Sequence, residues 1–280
     1  MSEPARIPFA CAEENLANIE TGLLANRVPY IRGGSGRREA VVFFGANALF
    51  KRLDQTSNPQ RYARQVSRLL PGHRFTILGY SGSGFEQIVR DMAHAIPAPP
   101  DVVLGISFGG FVTMRFAAQH PELVRRLVLL VSAHRFSPGG WQRMERQFEA
   151  LERGDLGKVV HENALLFRRS WYNWLVRLKL WKDRDRLGAD FRDPATILRD
   201  YRHLFGPDFE NNAAYCSRIV SPTLVMGGTA DQYFDRAAFE ETAELISGAR
   251  IRLFERETHM LPIEKSGDMA GAITDFLGRS

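Results

Sequence analysis

The sequence predicts an α/β fold: a mostly parallel central sheet with flanking helices, and a helical block inserted after the sixth strand. Three observations carry this reading. Through residues 18–132, short β-rich apolar runs alternate with helical patterns. The same rhythm returns from Thr223 to the C-terminus. Between them, from Phe136 to Tyr215, large aromatics recur at helical spacing with no run that reads as a buried strand.

Residues 18–24 and 28–32 read as an opening pair of strands, followed by the turn Gly33-Gly34-Ser35-Gly36. Residues 40–44 form an unbroken apolar run, which a strand covered on both faces requires. Residues 59–70 have helical periodicity and stop at Pro71-Gly72. A strand at 75–79, a helix at 85–96, a buried strand at 101–106, a helix at 108–120 ended by Pro121, and a strand at 127–132 follow. Strands separated by helices are the signature of βαβ crossovers. The aromatic block then carries all four tryptophans: Trp141, Trp171, Trp174 and Trp181. A strand at 223–226, a helix at 237–246, a strand at 250–254 and a closing helix at 264–277 complete the chain. Residues 1–135 and 216–280 are thus expected to form one α/β domain, and residues 136–215 a helical cap over it.

Composition sets the class. At 280 residues, 44% hydrophobic and 25% charged, the chain can bury an ordinary core, which excludes disordered and fibrous proteins. No apolar stretch reaches the roughly 18–20 residues of a membrane span. The first twenty residues carry acids where a secretory leader has its apolar centre. Two cysteines, Cys11 and Cys216, make no disulfide framework and no metal-spaced cluster, so a cytoplasmic location is expected. The net charge is +5, and residues 134–206 hold a surplus of the same size, with 15 Arg/Lys against 10 Asp/Glu. Signs alternate there at Lys182-Asp183-Arg184-Asp185-Arg186, as on a solvated helix face, which argues against nucleic acid. The basic block leaves an acidic acyl carrier protein open as a delivering partner.

The sharpest motif is Gly105-Ile106-Ser107-Phe108-Gly109-Gly110, placed between a buried strand and a helix. In that context G-x-S-x-G holds a serine on a tight strand-to-helix turn, where glycines admit close backbone approach. A serine nucleophile needs a base, and the base an orienting acid. His259 follows the last strand and precedes the final helix; His73 and His134 fit less well. Asp231 lies just past the penultimate strand, after Gly227 and Gly228, which are read as permitting the turn; Asp235 is its nearest competitor. Ser107, Asp231 and His259 would all gather beyond the carboxyl ends of strands, where open α/β sheets hold their sites. The oxyanion formed in acyl transfer needs donors. The backbone N–H of Phe108 is one, and the loop Gly45-Ala46-Asn47-Ala48 supplies the other from Ala46, with Asn47 the second candidate there. Tyr80-Ser81-Gly82-Ser83-Gly84 lacks the partners of a nucleotide loop and reads as a turn.

At these residues the chain resembles the α/β-hydrolase superfamily, over nearly its whole length. The matching features are the Gly105–Gly110 motif, the Asp231 loop, and His259-Met260-Leu261-Pro262-Ile263-Glu264 leading to Asp275-Phe276-Leu277. The order Ser, Asp, His is the one that family uses. The chain departs from it where the family's oxyanion strand ends in His-Gly, since here it ends Phe43-Phe44-Gly45. Serine at position 107 disfavours the dehalogenase and epoxide-hydrolase branches, which need a carboxylate nucleophile. The resemblance implies a serine hydrolase acting on an ester or thioester with no metal or organic cofactor. Trp171, Trp174, Leu178 and Trp181 share a helix face, and in that family cap residues line the pocket. Trp171 and Trp174 are therefore expected to bind a hydrophobic acyl or aromatic substrate. Carbon–carbon bond hydrolysis, biosynthetic acyl transfer, and a non-hydrolytic ligand-binding role on the same scaffold remain as alternatives.

Overall fold

The computed structural model describes residues 18–24, 26–80, 84–164, 166–182 and 191–278. The N-terminal twenty-residue reading up to residue 17, Cys11, the Ser81–Ser83 part of the proposed turn and the charge run from Asp183 lie outside them.

Eight strands form one sheet: β1 (Glu20–Leu23), β2 (Pro29–Gly33), β3 (Arg38–Phe43), β4 (His73–Leu78), β5 (Val102–Ile106), β6 (Leu127–Leu130), β7 (Thr223–Gly228) and β8 (Arg250–Phe254). Their spatial order is β1-β2-β4-β3-β5-β6-β7-β8. The short link between β1 and β2 permits only an antiparallel pair, with Glu20 opposite Arg32. β2 is also antiparallel to β4, and every pairing from β4 to β8 is parallel. β5, β6 and β7 are buried at every residue, as strands covered by helices on both faces must be, while β1 and β8 are exposed edges.

The helices of the first half are α1 (Asn47–Phe50), α2 (Pro59–Leu69), α3 (Phe85–Ala95) and α4 (Phe108–Gln119). Asn58 caps α2 by accepting from the Arg61 N–H at 3.1 Å, and Pro59 fills the first turn, where no N–H is needed. α4 is buried from Phe108 to Ala118, Thr113 and Arg115 included, so it forms the spine under the sheet's centre. Between β6 and β7 come α5 (Pro138–Glu152), α6 (Leu156–Ala164), α7 (Ser170–Lys182), α8 (Pro194–Leu204) and α9 (Asn212–Cys216). The final stretch holds α10 (Arg236–Leu245), α11 (Leu261–Glu264) and α12 (Ser266–Gly278). The closing helix expected over 264–277 is α12, with the four-residue α11 just before it; the two part at Lys265, where φ is −130°.

Aromatic rings tie the segment between β6 and β7 to the sheet body. Phe136 stacks on Phe234 at 5.4 Å and on Phe209 at 5.3 Å. Phe111 of α4 meets Phe209 edge-on at 4.7 Å, and Phe205 meets Phe209 at 5.2 Å. Each such pair contributes about 0.5–1.5 kcal/mol beyond its buried area.

Candidate active site

Three elements deliver the site. β5 runs into Ser107, which has φ 53° and ψ −119°, and α4 starts at the next residue. A non-glycine residue there carries strain of about 1–3 kcal/mol, sustained by close packing on all sides. The packing explains the flanking glycines. A Cβ on Gly105 would stand 2.2 Å from Thr113 Oγ1, and one on Gly110 2.0 Å from Ser132 Oγ. The Ser107 N–H donates to Leu130 O at 2.9 Å, which fixes the turn to β6.

Asp231 sits on the turn after β7. Its Oδ1 accepts from the N–H groups of Tyr233 (2.8 Å) and Phe234 (3.2 Å), and its side chain is fully buried. Gly227 and Gly228 do not form that turn, contrary to expectation; they end β7 itself. Their small size serves close approach, since a Cβ on Gly228 would lie 2.2 Å from Glu257 O. His259 is held after β8 by its N–H donating to Gln232 Oε1 at 3.1 Å. Its ring is 9% exposed, with Tyr233 edge-on at 4.9 Å and Phe234 at 5.9 Å.

The structure brings the three together. His259 Nδ1 lies 2.8 Å from Asp231 Oδ2 and 3.1 Å from Oδ1, and His259 Nε2 lies 2.8 Å from Ser107 Oγ. Because the carboxylate can only accept, Nδ1 carries the ring proton and Nε2 faces the serine hydroxyl with its lone pair. Asp235 does not enter this chain. It caps α10, accepting from the Ala238 N–H at 2.8 Å. His73 and His134 are engaged elsewhere, with Pro71 O and Thr242 Oγ1.

The Gly45–Ala46 loop lies against the serine: a Cβ on Gly45 would be 3.5 Å from Ser107 Cβ and 4.0 Å from its Oγ. Ala46 is half-buried at the start of α1, the stretch 47–50 being helical where only a loop was expected. Phe108 is the first residue of α4, so its N–H has no intrahelical acceptor. Asn47 is exposed at the head of α1. Trp171 and Trp174, expected to bind the substrate, lie on α7 with 55% and 62% of their surface exposed.

Four residues of the site escaped the sequence reading. The hydroxyl of Tyr80 donates to the carbonyl of Phe44, tethering the loop that lacks the family's histidine; burial pushes its pKa well up, so it stays a donor. Tyr80 also packs edge-on against Phe108 at 5.2 Å; the cavity of about 610 Å³ that it lines, with Arg52, Arg192, Asp91 and Asp200 in its wall, is not lined by Ser107, Asp231 or His259. Gln232 anchors His259, and buried Glu257 accepts from Arg168 Nη1 at 2.7 Å. Nothing local marks these positions, since each acts through a partner distant in sequence.

A strained serine at the end of β5, hydrogen-bonded to a histidine that an aspartate orients, is an arrangement set by this fold's topology, and the model of the alpha/beta hydrolase family matches residues 24–272. The chain belongs to the alpha/beta hydrolase family. Within that family it is similar to the monoacylglycerol lipase abhd6-A of Xenopus laevis, with 27% identity over 226 residues. That match covers 74% of this chain and 65% of the relative, so just under two thirds of the relative's length is spanned. The putative carbamate hydrolase RutD of Rhizobium rhizogenes is 23% identical over 182 residues, covering 62% of this chain and 65% of that one. Among solved structures, the enol-lactonase of Burkholderia xenovorans LB400 superposes with a TM-score of 0.69 at 20% identity, over 93% of this chain and 100% of that one. At that identity the likeness is one of fold. No helix among the described residues is long and apolar enough to cross a membrane.

Proposed function

We propose that the protein is a serine hydrolase that cleaves a carboxylic ester or thioester bearing a hydrophobic acyl or aromatic group, through an acyl-enzyme on Ser107. The observation that carries this reading is the 2.8 Å approach of Ser107 Oγ to His259 Nε2, with Asp231 on the ring's far side. His259 removes the hydroxyl proton as Oγ attacks the carbonyl carbon, and Asp231 stabilises the imidazolium that forms. The N–H groups of Phe108 and Ala46 receive the oxyanion, aided by the N-terminal end of α4. His259 then gives its proton to the departing alcohol or thiol. In the second half it activates a water that releases the acid and frees Ser107. Residues 136–215 act as the cap in this reading. The aromatic surroundings support the substrate class: Phe108 meets Phe85 and Phe205, each at 5.9 Å, and Phe234 borders His259. The Xenopus laevis relative, named for monoacylglycerol lipase activity, supports the same class.

The test combines a fluorophosphonate probe with p-nitrophenyl esters and acyl thioesters of graded length. Labelling at Ser107, and loss of both labelling and turnover in a folded Ser107→Ala variant, are expected. Turnover retained in that variant refutes the mechanism. Faster cleavage of compact polar esters than of long-chain or aromatic ones refutes the substrate class.

A further inference from the structure

α7 presents an apolar stripe to solvent. At about 100° per residue, Trp171, Trp174, Leu175 and Leu178 fall within one arc of the helix, and Trp181 borders it. They are 55%, 62%, 43%, 38% and 63% exposed. The opposite arc holds Asn173, Val176 and Leu180, which are half-buried. Asn173 fixes that orientation, since its side chain donates to Phe167 O at 2.9 Å and accepts from the Phe167 N–H at 3.2 Å. A contiguous outward face of two tryptophans and two leucines exceeds what scattered surface residues present, and faces of this kind mark contact sites.

The charge around the face names the occupant. From residue 167 to 182 there is no acidic residue, while Arg168, Arg169, Arg177, Lys179 and Lys182 are basic. Arg168 is paired with Glu257, but among the described residues Arg169, Arg177, Lys179 and Lys182 have no carboxylate partner. Arg177 and Lys179 flank the apolar arc on its two sides. Tryptophan favours the boundary between membrane and water, and lysine and arginine beside it are attracted by anionic headgroups. A second copy of the chain fits less well, because two such faces would bring Arg177 and Lys179 of one against those of the other.

We propose that α7 docks the protein on an anionic lipid surface, with Trp171, Trp174, Leu175 and Leu178 entering the headgroup region and the flanking cations meeting lipid phosphates. The helix is well placed to bring that surface to the site. The lead-in to α7 is bound to the loops that carry Asp231 and His259: Gln232 Nε2 donates to Leu166 O at 3.2 Å, and the Arg168 N–H donates to Glu264 Oε2 at 3.2 Å. The docking itself does not depend on the chemistry at Ser107.

The experiment is flotation of the full-length chain with phosphatidylcholine vesicles, with and without phosphatidylglycerol, alongside tryptophan emission. Binding to the phosphatidylglycerol vesicles is expected, with a blue shift and weakening in high salt. Lys179→Gln and Lys182→Gln are each expected to weaken it by about fivefold. The triple variant Trp171→Ser/Trp174→Ser/Leu178→Ser is expected to weaken it by about tenfold or more, with its thermal midpoint held, because the side chains are exposed. Failure of the parent chain to float with the anionic vesicles overturns the proposal. So does equal flotation of parent and triple variant, or a dimer in sedimentation that the triple variant converts to monomer. None of these readouts uses ester cleavage, so loss of the hydrolase reading would leave the result intact.

Discussion

A Cβ placed on Gly109 would stand 2.0 Å from the carbonyl oxygen of Phe43. The first turn of α4 therefore lies directly on the end of β3, and the glycine lets the Ser107 turn and the Gly45–Ala46 loop share one small space.

Gly109→Ala is accordingly expected to push α4 off β3, since the obstacle is backbone and cannot rotate away. We expect a destabilisation of about 1–3 kcal/mol and a thermal midpoint lower by roughly 2–4 °C per kcal/mol. Ester turnover should fall as the serine and oxyanion donors separate. Gly271→Ala is the control: it lies in α12 with nothing within 4 Å of its Cβ, and it should stabilise by about 0.5–1 kcal/mol.

Asp231 and Asp235 should separate cleanly in mutant kinetics. Asp231→Asn removes the acceptor that holds His259 Nδ1–H, and kcat should drop by about 10⁴-fold. Asp235→Ala removes only the cap of α10, which costs about 1 kcal/mol of stability. If the Asp235 variant loses activity as deeply as the Asp231 variant, the assignment of roles is wrong.

Stability should decline on the acid side through buried histidines. Burial lowers the pKa of His73, with Arg38 adding to the effect and the Pro71 carbonyl and Asp101 opposing it. Among the described residues its Nε2 has no hydrogen-bond partner. His134 is lowered for the same first reason, burial, against an opposing Glu241. A histidine depressed in the folded state leaves the unfolded chain binding more protons, so stability rises with pH. It should be fully present above the ordinary histidine value of about 6.5 and be lost as pH falls below it. Thermal melts of His73→Gln should show a shallower loss over that window; an unchanged slope would remove His73 from the account.

Arg115 is 1% exposed, between the rings of Phe85 (4.2 Å) and Tyr215 (4.6 Å), with Nε donating to Asn212 Oδ1 at 3.1 Å. Arg115→Ala opens a cavity and strips Asn212 of that donor, so a loss of about 3–5 kcal/mol is expected in denaturant unfolding. Arg115→Met keeps most of the volume and should lose less.

The sequence determined by itself what is written in local periodicity and spacing. The unbroken run at 40–44 is β3 and the start of its loop, the 101–106 run is β5, and the glycines around Ser107 mark the turn between β5 and α4. These patterns are legible because a two-faced buried strand and a tight turn each constrain their own residues. Tertiary structure decided what depends on partners remote in the chain. β2 lies beside β4 and not β3, because strand order follows crossovers and not sequence adjacency. Spacing favours Asp231 but leaves Asp235 as a competitor until His259 arrives beside Asp231, 28 residues later in the chain. Tyr80 could be recognised as the tether of Phe44 only after folding placed its hydroxyl there. α7 is the sharpest case: it has apolar residues on both sides, so spacing alone gave no direction, and only packing showed that Val176 and Leu180 face inward while Trp171 and Trp174 meet solvent.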